Sequence, residues 1–411
     1  MHLGETELPT PAKRLLLSGK KLSSLNGLRA LAILPVFFHH MTWAIPHTNR
    51  AVDWLAYFLS QGWFGVDLFF ALSGFLITGI LVDTRVAENY FSGFYARRIL
   101  RIFPLYYAVL IGILVAASFI HPYPTQLPVA ADRKLYFLFL ANWLCLWKGQ
   151  WGPNVLGHFW SLAVEEQFYL LWPLCVWLVR PVKLKAIAVS LSILALVIRV
   201  VWAMHGGLGQ GMTMMTFGRM DALLLGALGA ILFRDAAALG RIRRWLPWIS
   251  LAMLGAFLAA MALLFGRSEL ATSFFVQTAG YSMLALGFGA LVLHAAVTEG
   301  TATWLQRILR HAALTRLGAY SYGFYVFHVP IIGAAKLVIL PHLSAVVQQN
   351  PWFFPVFIVV LGSITFGISA ASYELFEAPI LSCKRYFGPR FASSSEIGDL
   401  PAPLSEPAKL S

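Results

Sequence analysis

Long apolar runs separated by short polar clusters organise this chain, and several approach the roughly twenty residues that a helix needs to cross hydrocarbon. They predict ten spanning helices near 28–45, 62–82, 103–120, 158–179, 184–203, 217–234, 246–265, 271–294, 319–339 and 353–376. One further apolar segment, LYFLFLANWLCLW at 135–147, is too short to cross, and a crossing there would invert every later loop. It reads as re-entrant or interfacial: its tryptophans suit the headgroup boundary, and a broken helix is tolerated where it lines a protein cavity. The expected fold class is therefore all-α, a polytopic membrane helix bundle. Residues 1–24 form a cytoplasmic N-terminal segment, 25–385 the membrane domain, and 386–411 a flexible cytoplasmic tail rich in Ser, Pro and charge. The first 24 residues are polar and no small-residue cleavage site follows the first apolar run, so that span is expected to stay in the mature protein.

Composition supports this picture. The hydrophobic fraction is 59% and the charged fraction 12%, about half that of a soluble domain. With the N-terminus in the cytoplasm, Lys13, Arg14, Lys20, Lys21, Arg97, Arg98, Arg101, Arg180, Lys183, Lys185, Arg241, Arg243, Arg244, Lys384 and Arg385 all fall inside. The outer loops hold little beyond Arg50, Arg133, Lys134, Lys148 and Arg267. That asymmetry follows the positive-inside rule, supports an even number of spans, and accounts for the net charge of +13 without nucleic acid. No internal repeat is visible, which weakens an inverted-repeat transporter reading. Cys145, Cys175 and Cys383 are scattered without metal-ligand spacing, so no metal site is expected and the thiols read as structural.

Against this apolar background, titratable residues stand out, because charge within hydrocarbon is costly and usually functional. In LRALAILPVFFHH, Arg29 and His40 return to one helical face about 16 Å apart along the axis, as if lining one interior cavity. His40 is either a core histidine bonded to a carbonyl or a base for a hydroxyl proton. His39 points about 100° away and is the weaker candidate. In HFWSLAVEEQFYLLWP, Ser161 and Glu165 share a face at i and i+4, and Glu166 and Gln167 extend the polar sector. The glutamates either solvate a helix mouth or make Glu165 the partner of a histidine or an acceptor hydroxyl. In FYARRILRIFPLYY, Arg98 and Arg101 share a face and suit phosphate oxygens, unless they serve only as a positive-inside signal. Ser321, Tyr325 and His328 form one stripe expected to face the bundle interior. Asp67, Arg219, Asp221 and Glu377 read as structural pairs with other helices. The glycines of 74–79 and 226–229 read as close helix packing.

Taken in order, the motifs LNGLRALAILPVFFHH, GVDLFFALSGFLIT, ARRILRIFPLYY, HFWSLAVEEQFYLLWP, RMDALLLGALGA and SYGFYVFHVP resemble the acyltransferase 3 family of bacterial integral-membrane O-acyltransferases. The resemblance covers roughly residues 21 to 380. It implies a multi-pass protein of the bacterial inner membrane, with both termini cytoplasmic. Its implied activity is moving an acyl group, acetyl by default, from cytoplasmic acyl-CoA to a hydroxyl of a cell-envelope saccharide or related acceptor. Arg29 and His40 match the family's arginine and histidine separated by ten residues, with His40 as base. Arg98 and Arg101 match its paired-arginine motif, which handles the donor. Glu165 and Tyr169 match the glutamate and tyrosine of its fourth helix. Asn26 stands where relatives commonly carry aspartate and removes a carboxylate partner for Arg29. Acyl-CoA is the expected co-substrate, no cofactor is expected to be permanently bound, and the bilayer is the expected surroundings. The chain reads as the stand-alone type, which completes transfer itself or uses a separate extracytoplasmic transferase. Ser161 and Ser321 are the hydroxyls to test for a covalent acyl-enzyme; direct transfer stays equally open. The alternative is a transporter or flippase of a lipid-linked glycan or small molecule, distinguished by substrate movement without acyl-CoA consumption.

Overall fold

The apolar runs fold as helices. The structure, a computed structural model, describes residues 22–45, 49–119, 128, 130–148, 155–207, 210–265, 273–344, 350 and 352–391. Lys13, Arg14, Lys20, Lys21, Arg267 and the tail beyond 391 lie outside the described residues. The principal helices are α1 (Ser23–Met41), α2 (Gly65–Asp83), α3 (Tyr90–Phe119), α4 (Phe159–Leu178) and α5 (Pro181–Met204). They continue with α6 (Thr216–Phe233), α7 (Leu246–Leu264), α8 (Tyr281–Val297), α9 (Ser321–Ala334) and α10 (Phe353–Ser372), and no strand occurs among the described residues.

Eight helical stretches among the described residues are long and apolar enough to cross a membrane. The expected count of ten is not reached on that measure, and the shortfall is α1 and α4. At 19 and 20 residues both are long enough. Asn26, Arg29, His39 and His40 in one, and Glu165, Glu166 and Gln167 in the other, make them less apolar. The polarity that sets them apart is that of the candidate chemistry, and neighbouring helices shield it. α1 packs against α2, α8, α9 and the short helices Trp304–Leu309 and Ala312–Ala319; α4 packs against α2, α5 and α6. The exposed surface is apolar instead. Leu170, Leu171, Leu174 and Leu178 line the outer face of α4, and Val356, Val359, Val360 and Ile364 that of α10.

Buried ion pairs join the helices, as expected for Asp67, Arg219 and Asp221. Arg219 reaches Asp67 of α2 at 2.7 Å, and Arg199 reaches Asp221 of α6 at 2.7 Å. Arg234 donates to Asp83 at the end of α2. Between α2 and α6 the backbones nearly touch: a Cβ on Gly74 would fall 1.8 Å from the Leu223 carbonyl oxygen, and one on Gly226 2.0 Å from that of Ala71. These glycines serve helix packing.

The first turn of α1 has N–H groups without intrahelical acceptors. Glu299 supplies a distant cap, accepting from the Ser24 backbone N–H at 3.2 Å and from the hydroxyls of Ser23 and Ser24. Its negative charge also suits the positive end of the helix dipole. In the 135–147 segment, short helices Arg133–Phe137 and Ala141–Lys148 are interrupted at Phe139, which takes a φ of 53°. Gln167 of α4 donates to the Phe139 carbonyl and to Asn142, each at 2.9 Å, tying the broken helix to α4. The helix that carries the arginines begins earlier than the predicted 103, so Arg97, Arg98 and Arg101 lie within α3. After α10 the chain returns to the start of α3: Asn89 bonds the Gly388 carbonyl and the Arg390 N–H, each at 2.8 Å.

Candidate active site

Five helices direct polar side chains at one cavity of about 120 Å³. α3 contributes Arg98 and Arg101. α4 contributes Ser161, Glu165 and Tyr169, a four-residue repeat that occupies one helical face. α9 contributes Ser321, Tyr322 and Tyr325, while Arg29 enters from α1 and Ser73 from α2. Arg29 donates to Asn26 Oδ1 at 3.1 Å. The Arg98 guanidinium lies 4.9 Å from the centre of the Tyr169 ring. Arg101 lies 5.6 Å from that of Tyr322, and 3.7 Å from the Glu377 carboxylate. The Ser73 and Tyr169 hydroxyls bond each other and the Glu165 carboxylate. Three guanidiniums therefore face one carboxylate in the lining, a set of forked donors suited to an anion.

A second cavity, of about 220 Å³, adjoins the first. Its lining includes His39, His40, His158, Trp63 and Trp160, and among the described residues no Arg, Lys, Asp or Glu side chain. Arg29 and His40 thus do not share a cavity, although their helical face is common. Eleven residues of helix span about 16 Å, and Tyr325 of α9 fills that interval. Among the described residues only Tyr325 and Val66 line both cavities. The Tyr325 hydroxyl donates to the His158 carbonyl at 2.9 Å and lies 2.5 Å from Ser161 Oγ.

Carbonyl partners fix the proton on each histidine, since a carbonyl can only accept. His40 donates from Nδ1 to Val36 O at 2.8 Å, leaving Nε2 with its lone pair. His39 does the same toward Ser60 O. His158 donates from Nε2 to Val326 O at 3.3 Å, and His328 from Nδ1 to Tyr325 O at 2.6 Å. Their other nitrogens, His158 Nδ1 and His328 Nε2, are buried without a hydrogen-bond partner among the described residues. The rings form a chain, with His40 and His328 centred 4.9 Å apart and His328 and His158 5.2 Å apart.

Residues 22–374 match the acyltransferase domain of one protein family. The chain belongs to the acyltransferase 3 family. Over 382 residues it is 28% identical to the peptidoglycan O-acetyltransferase OatA of Listeria monocytogenes, covering 88% of this chain and 56% of that protein. It is also 28% identical over 380 residues to the O-acetyltransferase OatA of Staphylococcus aureus, covering 88% of this chain and 58% of that one. The chain thus spans little more than half the length of these curated relatives. No solved structure matches it.

Within this acyltransferase domain the predicted residues divide between the two cavities. Arg29, Arg98, Arg101, Ser161, Glu165, Tyr169, Ser321 and Tyr325 converge on the first, and His40 lines the second. His328 lines neither but sits between His40 and His158. Glu165, expected as the partner of a histidine or an acceptor hydroxyl, faces the arginines, and among the described residues no histidine lines its cavity. His39, ranked behind His40, lines the same cavity. Ser73, Tyr322 and His158 were missed. Ser73 lay within the ALSGF motif, and His158 stood three residues before Ser161, a spacing that shares a helical face.

Proposed function

We propose that this protein transfers an acetyl group from cytoplasmic acetyl-CoA to a hydroxyl of a cell-wall saccharide, in a bacterial inner membrane with both termini cytoplasmic. The carrying observation is the division of charge between adjoining cavities: three guanidiniums in one, neutral imidazoles in the other, and Tyr325 common to both. Arg29, Arg98 and Arg101 hold the anionic donor, with Glu165, Tyr169 and Glu377 keeping the guanidiniums aimed. The thioester reaches Tyr325 at the crossing point, where its single O–H turns from the His158 carbonyl to donate to the developing oxyanion.

His40 acts from the far side. With Nδ1–H committed to Val36 O, its Nε2 takes the proton of the acceptor hydroxyl. The oxygen attacks the thioester carbonyl carbon, a C–O bond forms, the C–S bond breaks, and the thiolate leaving group recovers the proton from His40. The saccharide acceptor is supported by the relatives that are peptidoglycan O-acetyltransferases, and the donor by the arginine-lined cavity.

Labelled acetyl-CoA supplied to inside-out membrane vesicles tests this. Vesicles with the wild-type protein are expected to label envelope glycan, and those with folded His40→Ala to label none. Equal labelling by the two sinks the base assignment, and substrate movement without consumption of acetyl-CoA replaces the enzyme with a transporter.

A further inference from the structure

The second cavity differs from the first in a way that specifies its ligand. Among the described residues its lining carries no charged side chain, so an anionic headgroup finds no partner among them. The second nitrogens of the lining histidines His39, His40 and His158 are acceptors, because each ring spends its N–H on a backbone carbonyl. Three such acceptors beside one cavity favour a ligand rich in O–H donors. His158 is 4% exposed, and its Nδ1 has no partner among the described residues. A buried nitrogen in that state is destabilising unless something donates to it. Trp63 and Trp160 add flat apolar faces of the kind that cover the C–H face of a sugar ring. Among the described residues no three metal-ligating side chains form a group that would hold an ion. The volume of about 220 Å³ lies below the roughly 300–1,000 Å³ of drug-sized ligand sites and suits a single ring.

We propose that this cavity is the acceptor subsite, that it takes one neutral pyranose ring, and that His158 Nδ1 accepts a hydrogen bond from a second hydroxyl of that ring while His40 Nε2 faces the hydroxyl to be acylated. The proposal rests on the transferase reading and adds to it a residue and a compartment. His158 would orient the sugar and select its hydroxyl, whereas the arginines would govern the donor alone. Val329 lines the histidine cavity and not the other, so enlarging it fills the sugar space without touching the donor side.

The test uses the full chain in lipid nanodiscs and measures equilibrium binding of a labelled neutral disaccharide of N-acetylglucosamine, without donor, beside binding of acetyl-CoA. Wild type is expected to bind both. His158→Gln and Val329→Phe are each expected to weaken disaccharide binding about tenfold, the loss of one hydrogen bond or of the space, and to leave acetyl-CoA binding unchanged, which also reports that they fold. In transfer assays His158→Gln should raise the acceptor KM and spare the donor KM. Absence of disaccharide binding by wild type, wild-type affinity in both variants, or a loss confined to acetyl-CoA overturns the proposal. Wild type that binds both ligands but makes no ester removes the transferase reading and leaves the sugar pocket standing.

Discussion

Asn26 shows how far a single residue could be read. Its place in the chain marked a departure from the aspartate common among relatives, and suggested that Arg29 lacks a carboxylate. The folded chain keeps the contact in neutral form, with Asn26 Oδ1 accepting from Arg29 at 3.1 Å. The hydrogen bond rather than the charge should therefore matter for aiming Arg29. Asn26→Asp preserves an acceptor at that place and is expected to hold the transfer rate close to wild type. Asn26→Ala removes it and should lower kcat/KM about tenfold, as for one bond to a charged group of about 1.5 kcal/mol. Steady-state kinetics with acetyl-CoA decides, and equal rates for Asn26→Ala and wild type would dismiss the bond. Ser161 and Glu165 were legible from helical spacing, and Tyr169 from the family resemblance. Ser73 was not, because a lone serine in an apolar helix carries no spacing partner on its own element, whereas the three-residue step from His158 to Ser161 could have pointed to the histidine.

Among the elements, α1 is the one whose placement sets the site, since it carries both Arg29 and His40. It is held by near-contact of backbones. A Cβ on Gly318 would fall 1.7 Å from the Asn26 carbonyl oxygen, and one on Gly27 2.0 Å from that of Leu309. Backbone atoms cannot yield as a flexible side-chain tip can. Gly318→Ala should thus push the Asn26 turn aside, costing about 1–3 kcal/mol as for other overpacked sites and misaiming Arg29. The expected result is a lowered Tm in nanodiscs together with weaker acetyl-CoA binding. A variant with wild-type Tm and donor affinity would mean that α1 can shift without consequence. The sequence indicated where α1 and α4 run, but their reduced hydropathy made them look like ordinary spans with polar interruptions. Their shielding became visible only when α2, α8 and α9 surrounded α1.

For the molecule as a whole, stability depends on charges that the bilayer would not tolerate alone. Arg219 and Asp67 are both almost completely buried and lie 2.7 Å apart, and the guanidinium also lies 3.8 Å from the centre of the Tyr281 ring. Removing one partner leaves the other charge buried and unpaired. Arg219→Met is expected to cost about 3–5 kcal/mol. The double change Arg219→Met with Asp67→Leu should recover much of that loss, because the stranded charge is gone. Thermal unfolding of the three proteins in one lipid composition measures it. A double variant no more stable than Arg219→Met would show that stranded charge is not the cause.

The sequence alone determined where the helices lie and which stripe of each is polar. In hydrocarbon a spanning backbone satisfies itself as a helix, and the helical period then sorts side chains into faces. For the same reason the face shared by Ser161, Glu165 and Tyr169, and that of Arg98 and Arg101, could be read without coordinates. Tertiary structure alone decided which stripes meet. Helical period fixes a residue's direction about its own axis but not the neighbour found there, so the wall that Tyr325 raises between Arg29 and His40 had no trace in the spacing of α1. The gathering of His158, His328 and His40 depended in the same way on three separate helical segments arriving at one depth.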